Sequence, residues 1–316
     1  MSLAPRSEFR HGRWHRRWLG PIFGLVCFTA TCSGVIVLAI LLGSIVAAAL
    51  SGPPDHPWYA FSAQAAELWG LIRRLAQATQ SSSDPTIAGF RVGIVGSLWL
   101  LGLVAVVGIP VGVAAGVYLE EYARPGRIRS FIQTNIANLA GVPSIVYGIL
   151  GLALFVRAFG LKSIAMGPSL LAGVLTLSLL ILPIIVLTTQ EALRAVPQSL
   201  RQAAIGLGAT RWQVVSGHVL PSALPGIMTG TILGLSRAIG ETAPLLMVGA
   251  AGSLLRLPRG PLDRYTALPV EIYKYARLPN QGFQTVAAGG ILILVAMLLT
   301  MNAVAIVIRN RYRRYY

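Results

Sequence analysis

Six stretches of this chain are each predominantly apolar for about 20 residues or more, enough to cross the roughly 30 Å hydrocarbon core of a bilayer. They cover residues 21–50, 92–119, 131–156, 168–189, 224–251 and 284–308. Hydrophobic residues make up 55% of the chain and charged residues only 11%, which excludes an ordinary soluble domain. In lipid, backbone polar groups are satisfied within a helix or a closed barrel, and barrel strands are short and alternating. The runs therefore predict an all-α membrane protein with six transmembrane helices.

Arginine placement orients it. Arg6, Arg10, Arg13, Arg16 and Arg17 precede the first run, and Arg124, Arg127 and Arg129 follow the second. Arg194, Arg201 and Arg211 follow the fourth, and Arg309, Arg311, Arg313 and Arg314 follow the sixth. The positive-inside rule makes that side the cytoplasm and places both termini there. Arg256, Arg259, Arg264, Lys274 and Arg277 lie opposite, spread out and interleaved with Asp263 and Glu271. The net charge of +16 thus flanks spans, where anionic membrane lipid attracts it, and nucleic acid is not the expected partner. Arg16-Arg17 before an apolar run ending at Ala47-Ala48-Ala49 has the look of an export signal, but the run is about twice a signal's length and reads as an uncleaved first span. Cys27 and Cys32 within it are five apart, on different helix faces, and read as apolar fillers. His11 and His15 have helical spacing, yet Gly12 and the flanking arginines favour a solvated tail over a metal site.

Small residues recur every fourth position in two spans, at Gly108, Gly112 and Gly116 and at Gly226, Gly230 and Gly234. Membrane helices associate through such faces, so both spans are expected inside the bundle. Pro110, Pro143 and Pro183 are tolerated where neighbours or water satisfy the freed carbonyl. Thr134, Asn138, Gly141, Ser144 and Gly148 fall on roughly one face of the third span, which suits either a pathway lining or helix packing. In the outer loop 51–91, breaker clusters flank Ala65, Leu68, Trp69, Ile72, Leu75 and Ala76 at helical spacing, opposite Arg73, Arg74 and Gln77. That predicts a short amphipathic helix, and residues 268–276 predict a weaker one.

Arg237 and Glu241 are four residues apart in the fifth span. Arg237 lies roughly 20 Å along the helix from residue 224, deep in the bilayer, where an arginine costs about 2.5–3.5 kcal/mol and must face a cavity, the bundle or a partner. Two readings stand: a structural ion pair, or a cationic station for an anionic solute with Glu241 as counter-charge when the station is empty.

The cytoplasmic segment 201–221 is different. Pro197 breaks the preceding helix, residues 201–207 predict one short helix, Gly208 a turn, and Thr210 caps another running to Val215. Two short helices across a bundle make either a knob suited to a groove on a soluble partner or a surface feature with no partner. No phosphate-binding Gly-rich loop, Ser-His-Asp grouping or His/Cys metal cluster occurs in the sequence, so any ATP is hydrolysed by another chain.

This segment resembles the EAA loop of ABC importer permeases. Ala203, Ala204, Gly208, Leu220 and Pro221 fall in place, while Gln202 stands for the usual Glu and His218 for the usual Ile. The runs GVYLEEY (116–122), NLAGVPSIVYGILGL (138–152), RAIGETAPLL (237–246) and LPVEIY (268–273) are similar to phosphate-specific ABC permeases of the PstA type. The sister PstC type shares RAIGET, but Ala243-Pro244-Leu245-Leu246 resembles the PstA side. The resemblance implies a type I ABC importer permease fold in the bacterial cytoplasmic (inner) membrane. It also implies a PstC-like sister permease, a PstB-like cytoplasmic ATPase dimer that binds the ATP, a PstS-like binding protein outside and inorganic phosphate as cargo. Arg237 and Glu241 become substrate-pathway residues. Arg201, Gln202, Ala203, Ala204, Gly208, Thr210, Arg211, Leu220 and Pro221 become the ATPase coupling loop.

The expected organisation is a basic tail (1–20), a first transmembrane helix (21–50), an outer loop (51–91), a permease domain (92–308) with its coupling loop at 190–222, and a basic tail (309–316). Competing readings are a PstC-type subunit, a permease for another oxyanion, a stand-alone secondary transporter, and a mainly regulatory subunit.

Overall fold

The computed structural model describes residues 13–50, 61–161, 165–250 and 256–313. The basic tail up to residue 12, with His11, and the Gly52-Pro53-Pro54 breaker lie outside the described residues, as does the side chain of His15. Every element described is helical.

Helix α1 (Arg13–Leu50) belongs to a unit of its own up to residue 48. Phe23, Phe28 and Leu38 are exposed on it, as suits a helix wrapped in lipid, and Cys27 and Cys32 are free thiols. The second unit carries α2 (Phe61–Gln77), α3 (Arg91–Val117), α4 (Arg127–Ala140), α5 (Ser144–Gly151), α6 (Leu170–Arg194) and α7 (Gln198–Gly206). It continues with α8 (Arg211–Val214), α9 (Leu220–Gly240), α10 (Ala243–Met247), α11 (Leu268–Ala276) and α12 (Gln281–Arg313).

Helix α6 is the axis of this unit. Ser169 caps its start, accepting a hydrogen bond from the Ala172 amide at 3.3 Å. Ile181, Ile185, Val186 and Leu193 along it are fully buried. The two glycine ladders explain how closely its neighbours approach. A methyl group at Gly112 of α3 would lie 2.7 Å from Ile185 Cγ2, and one at Gly116 would lie 2.7 Å from Thr189 Cβ. On α9, a methyl at Gly226 would lie 2.7 Å from Ala192 Cβ, and one at Gly230 would overlap Thr188. Both ladders therefore face α6, which places both spans against the bundle interior as their spacing predicts.

Two spans differ from expectation. The third, read as one helix over 131–156, is broken: α4 and the α5 segment meet at 106°. Pro143 is extended at ψ 138, and its ring keeps the preceding Val142 out of helical conformation, so the chain turns there. The face drawn through Thr134, Asn138, Gly141, Ser144 and Gly148 is therefore not continuous. Gly148 instead lets α5 close on Pro244 and Met247 of α10. The fifth span, read as 224–251, ends at Gly240; Glu241 is extended at ψ 112 and α10 starts afresh around Pro244. Among the described residues five helices are long and apolar enough to cross a membrane, or six if the bent pair counts as one span.

The predicted outer helices form as α2 and α11, which pack with α12 around Leu75, Phe90, Leu268, Tyr275 and Phe283. Tyr275 meets Phe90 edge-on at 5.3 Å and stacks on Phe283 at 5.7 Å. Glu271 is fully buried on the inner face of α11, against Gly93 in the first turn of α3. Burial pushes its carboxyl up to about 8, against the opposing pull of Lys274, the Gly93 amide and Thr266.

Candidate functional site: a cationic helix end and a cytoplasmic knob

Arg237 occupies the last turn of α9, and Glu241 is the residue at which that helix stops. The arginine Nε donates to Glu241 Oε1 at 3.4 Å, with the side chains 35% and 18% exposed. This is the one hydrogen bond the Arg237 guanidinium makes among the described residues, and it is long. A fork with five N–H donors held by a single stretched contact keeps most of its binding capacity. A methyl group added at Gly240, in the chain between the two residues, would meet nothing within 4 Å. One turn's neighbour, Ser236, donates to Asn302 Oδ1 of α12 at 2.7 Å and fixes the rotation of α9 at this level.

The knob forms as the sequence predicts. Pro197 starts α7, Gly208 turns at φ +83, and Thr210 caps α8. The Thr210 Oγ1 accepts from the Gln213 amide at 3.4 Å while Gln213 Oε1 accepts from the Thr210 amide at 2.8 Å, a reciprocal capping box. A π-helical turn, Val215–Val219, joins α8 to α9, so Leu220 and Pro221 open the membrane helix. Underneath, Ala204, Val214, Val219 and Ala223 are buried with Leu193, Val196 and Ile227. Gln202, Ala203, Gly208, Thr210 and Arg211 face outward.

Arg201 points the other way. It is 14% exposed and donates to the carbonyls of Val196 and Leu193 at 2.7 and 2.8 Å and to Glu121 Oε1 at 2.9 Å. Sequence reasoning grouped it with the docking residues and passed over its acidic partner, which lies eighty positions away. The exposed apolar side chains of the knob were passed over as well: Ile205 is 61%, Leu207 90% and Trp212 67% exposed. Large apolar residues within a polar loop were the available signal.

Residues 108–314 match the family described as "Binding-protein-dependent transport system inner membrane component". The phosphate transport system permease protein PstA of Yersinia pestis is 35% identical over 254 residues, 79% of this chain and 82% of that protein. A Bacillus subtilis protein described as the probable ABC transporter permease protein YqgI is 33% identical over 243 residues, 72% of this chain and 80% of its own length. Among solved structures, an inward-facing MetNI methionine ABC transporter shares the fold at TM-score 0.53 and 23% identity, over 73% of this chain and 99% of that one. A bacterial ABC transporter involved in the import of the acidic polysaccharide alginate does so at TM-score 0.59 and 18% identity, over 94% of this chain and 99% of that one.

Proposed function

The chain belongs to the family of binding-protein-dependent transport system inner membrane components, and from that premise we propose that it is the membrane-spanning half-channel of an ATP-driven importer of inorganic phosphate. As an ABC importer permease subunit it is a multi-pass membrane protein with no catalytic role of its own. Its partners in this reading are a PstC-like sister permease, a PstB-like ATPase dimer in the cytoplasm and a PstS-like phosphate-binding protein outside, with both termini of the chain in the cytoplasm. The PstA permease of Yersinia pestis, similar along 79% of the chain, supports phosphate as the cargo.

The observation that carries the reading is the under-used Arg237 guanidinium at the end of a membrane helix. A phosphate leaving water loses hydration, and a bidentate guanidinium offsets part of that loss. Glu241 holds the arginine while no anion is present and repels the anion once it competes, so binding is weak enough to release. The knob receives the ATPase: Ile205, Leu207 and Trp212 offer an apolar tip for its groove, and α8 runs directly into α9, which ends at Arg237.

In proteoliposomes containing all partners, Arg237→Gln lowers ATP-dependent phosphate uptake by about tenfold or more, the worth of one charge-assisted hydrogen bond. Normal uptake by that variant removes Arg237 from the pathway. Deleting residues 210–215 abolishes the stimulation of ATP hydrolysis by the binding protein, and unchanged stimulation removes the knob from coupling. Uptake by the isolated chain on an ion gradient alone identifies a secondary transporter instead.

A further inference from the structure

Residues Tyr118–Tyr122 continue α3 as a single π-helical turn at its inner end. Such turns are rare and widen the helix locally, spreading consecutive side chains in different directions. Here three consecutive side chains grip four different elements. Glu120 accepts from Arg194 at the end of α6 through Nε and Nη2, both at 2.9 Å, and from Arg129 of α4 at 3.3 Å. Glu121 accepts from Arg201 of α7 at 2.9 Å, with the two side chains only 12% and 14% exposed. The guanidinium of Arg211, the first residue of α8, lies 5.4 Å from the Tyr122 ring centroid.

The chain itself offers the knob two covalent routes: back through residues 195–197 to α6, and forward through the π-helical turn to α9. Neither reaches α3 or α4. The side chains on this turn bridge that gap, and the Arg201 contact is the stiffest of them. Its planar fork is held by Glu121, by the Leu193 carbonyl in the last turn of α6 and by the Val196 carbonyl just beyond it, three acceptors on one guanidinium.

We propose that the Glu120-Glu121-Tyr122 turn is the mechanical junction of the permease, with Glu121 the positioning residue that passes displacement of α7 and α8 to α3 and, through Glu120, to α4 and α6. This rests on the reading that α7 and α8 receive the ATPase. A knob pushed by a soluble motor then moves the inner ends of α3, α4 and α6 together. Without Glu121 the knob reaches α3 only through the Arg211–Tyr122 contact and apolar packing against Val113 and Val117, neither of which fixes a direction.

The test uses the full assembly of both permeases, the ATPase and the binding protein in proteoliposomes, and reads phosphate moved per ATP hydrolysed, with the amount of co-purifying ATPase measured alongside. Glu121→Gln keeps shape and one acceptor oxygen but loses the charge, so it lowers the ratio about tenfold with the ATPase still bound. Glu121→Asp restores most of the ratio, and Tyr122→Leu lowers it by a smaller factor. A native ratio in Glu121→Gln overturns the junction. So does loss of the ATPase from that variant, which makes Glu121 a folding or docking residue. The native assembly run in parallel separates the two layers: if it moves no phosphate, the transport reading and the junction fall together. If it moves phosphate and Glu121→Gln keeps the ratio, the junction alone falls.

Discussion

The two ends of the α3–α6–α9 bundle are fastened by opposite physics. At the end that the proposed orientation makes the outer one, α2, α11 and α12 close around Phe90, Tyr275 and Phe283 by apolar burial, and the buried carboxylate Glu271 has no hydrogen bond of good geometry to either carboxyl oxygen. At the inner end Glu120 and Glu121 accept charged hydrogen bonds from Arg129, Arg194 and Arg201, partly open to water. Apolar packing is non-directional and costly to open, so it suits a part that stays shut. The exposed Arg194 pair exchanges partners at little cost, while the Arg201–Glu121 pair, 14% and 12% exposed, stays joined, so this end suits a part that moves as a linked set.

The largest expected effect tests the outer end. Phe90→Ala empties the centre of the aromatic group and destabilises the protein by about 3–5 kcal/mol, seen as an earlier unfolding transition in detergent. If the loss is under about 1 kcal/mol, the outer end is not held by packing.

The next effect is the pH response of that same end. Burial raises the Glu271 carboxyl from its ordinary 4.5 to about 8. A raised carboxyl favours the folded state fully below the unfolded value, and this advantage is lost as pH rises through about 8. Tyr275, pushed up to about 12 by burial, titrates above that window, while Lys274 beside it, lowered by burial, works in the opposite sense to Glu271. Unfolding temperature should therefore fall as pH rises from about 4.5 to about 8, and Glu271→Gln should flatten the slope. A slope unchanged in that variant assigns the pH response elsewhere.

Smaller effects mark the inner end. Arg194 is 55% exposed, so Arg194→Gln costs about 0–1 kcal/mol of stability, an amount that shrinks as salt is raised. Trp212→Ala changes stability by less than about 0.5 kcal/mol yet reduces co-purification of the ATPase, because its exposed ring contributes to docking rather than to the fold. A large stability loss in either variant would erase the contrast between the two ends.

Local chemistry made much of this legible. The amphipathic pattern predicts α2, the Thr210 cap predicts α8, and the four-residue glycine spacing predicts close helix faces, because each signal lies within a few residues. The spans failed where hydropathy averages over a break: Pro143 and Pro244 each restart a helix inside an otherwise apolar run. Long-range partners were not legible at all. Glu271 is buried because Gly93, far away in sequence, leaves room for its carboxyl, and Glu121 meets Arg201 only after the chain has crossed the membrane and returned. The Arg237–Glu241 contact was anticipated from spacing, but as a pair on one continuous helix face; the helix in fact stops between them.

The glycine ladders on either flank of α6 have a consequence for movement. Where side chains mesh like gear teeth, a shift along the axis must lift each tooth out of its notch. Gly112 and Gly116 on one flank and Gly226 and Gly230 on the other present bare backbone. Into those bare places α6 seats Ile185, Thr189, Ala192 and Thr188, so a lengthwise slip would drive them against bulkier neighbours, and the three helices travel as one keyed block.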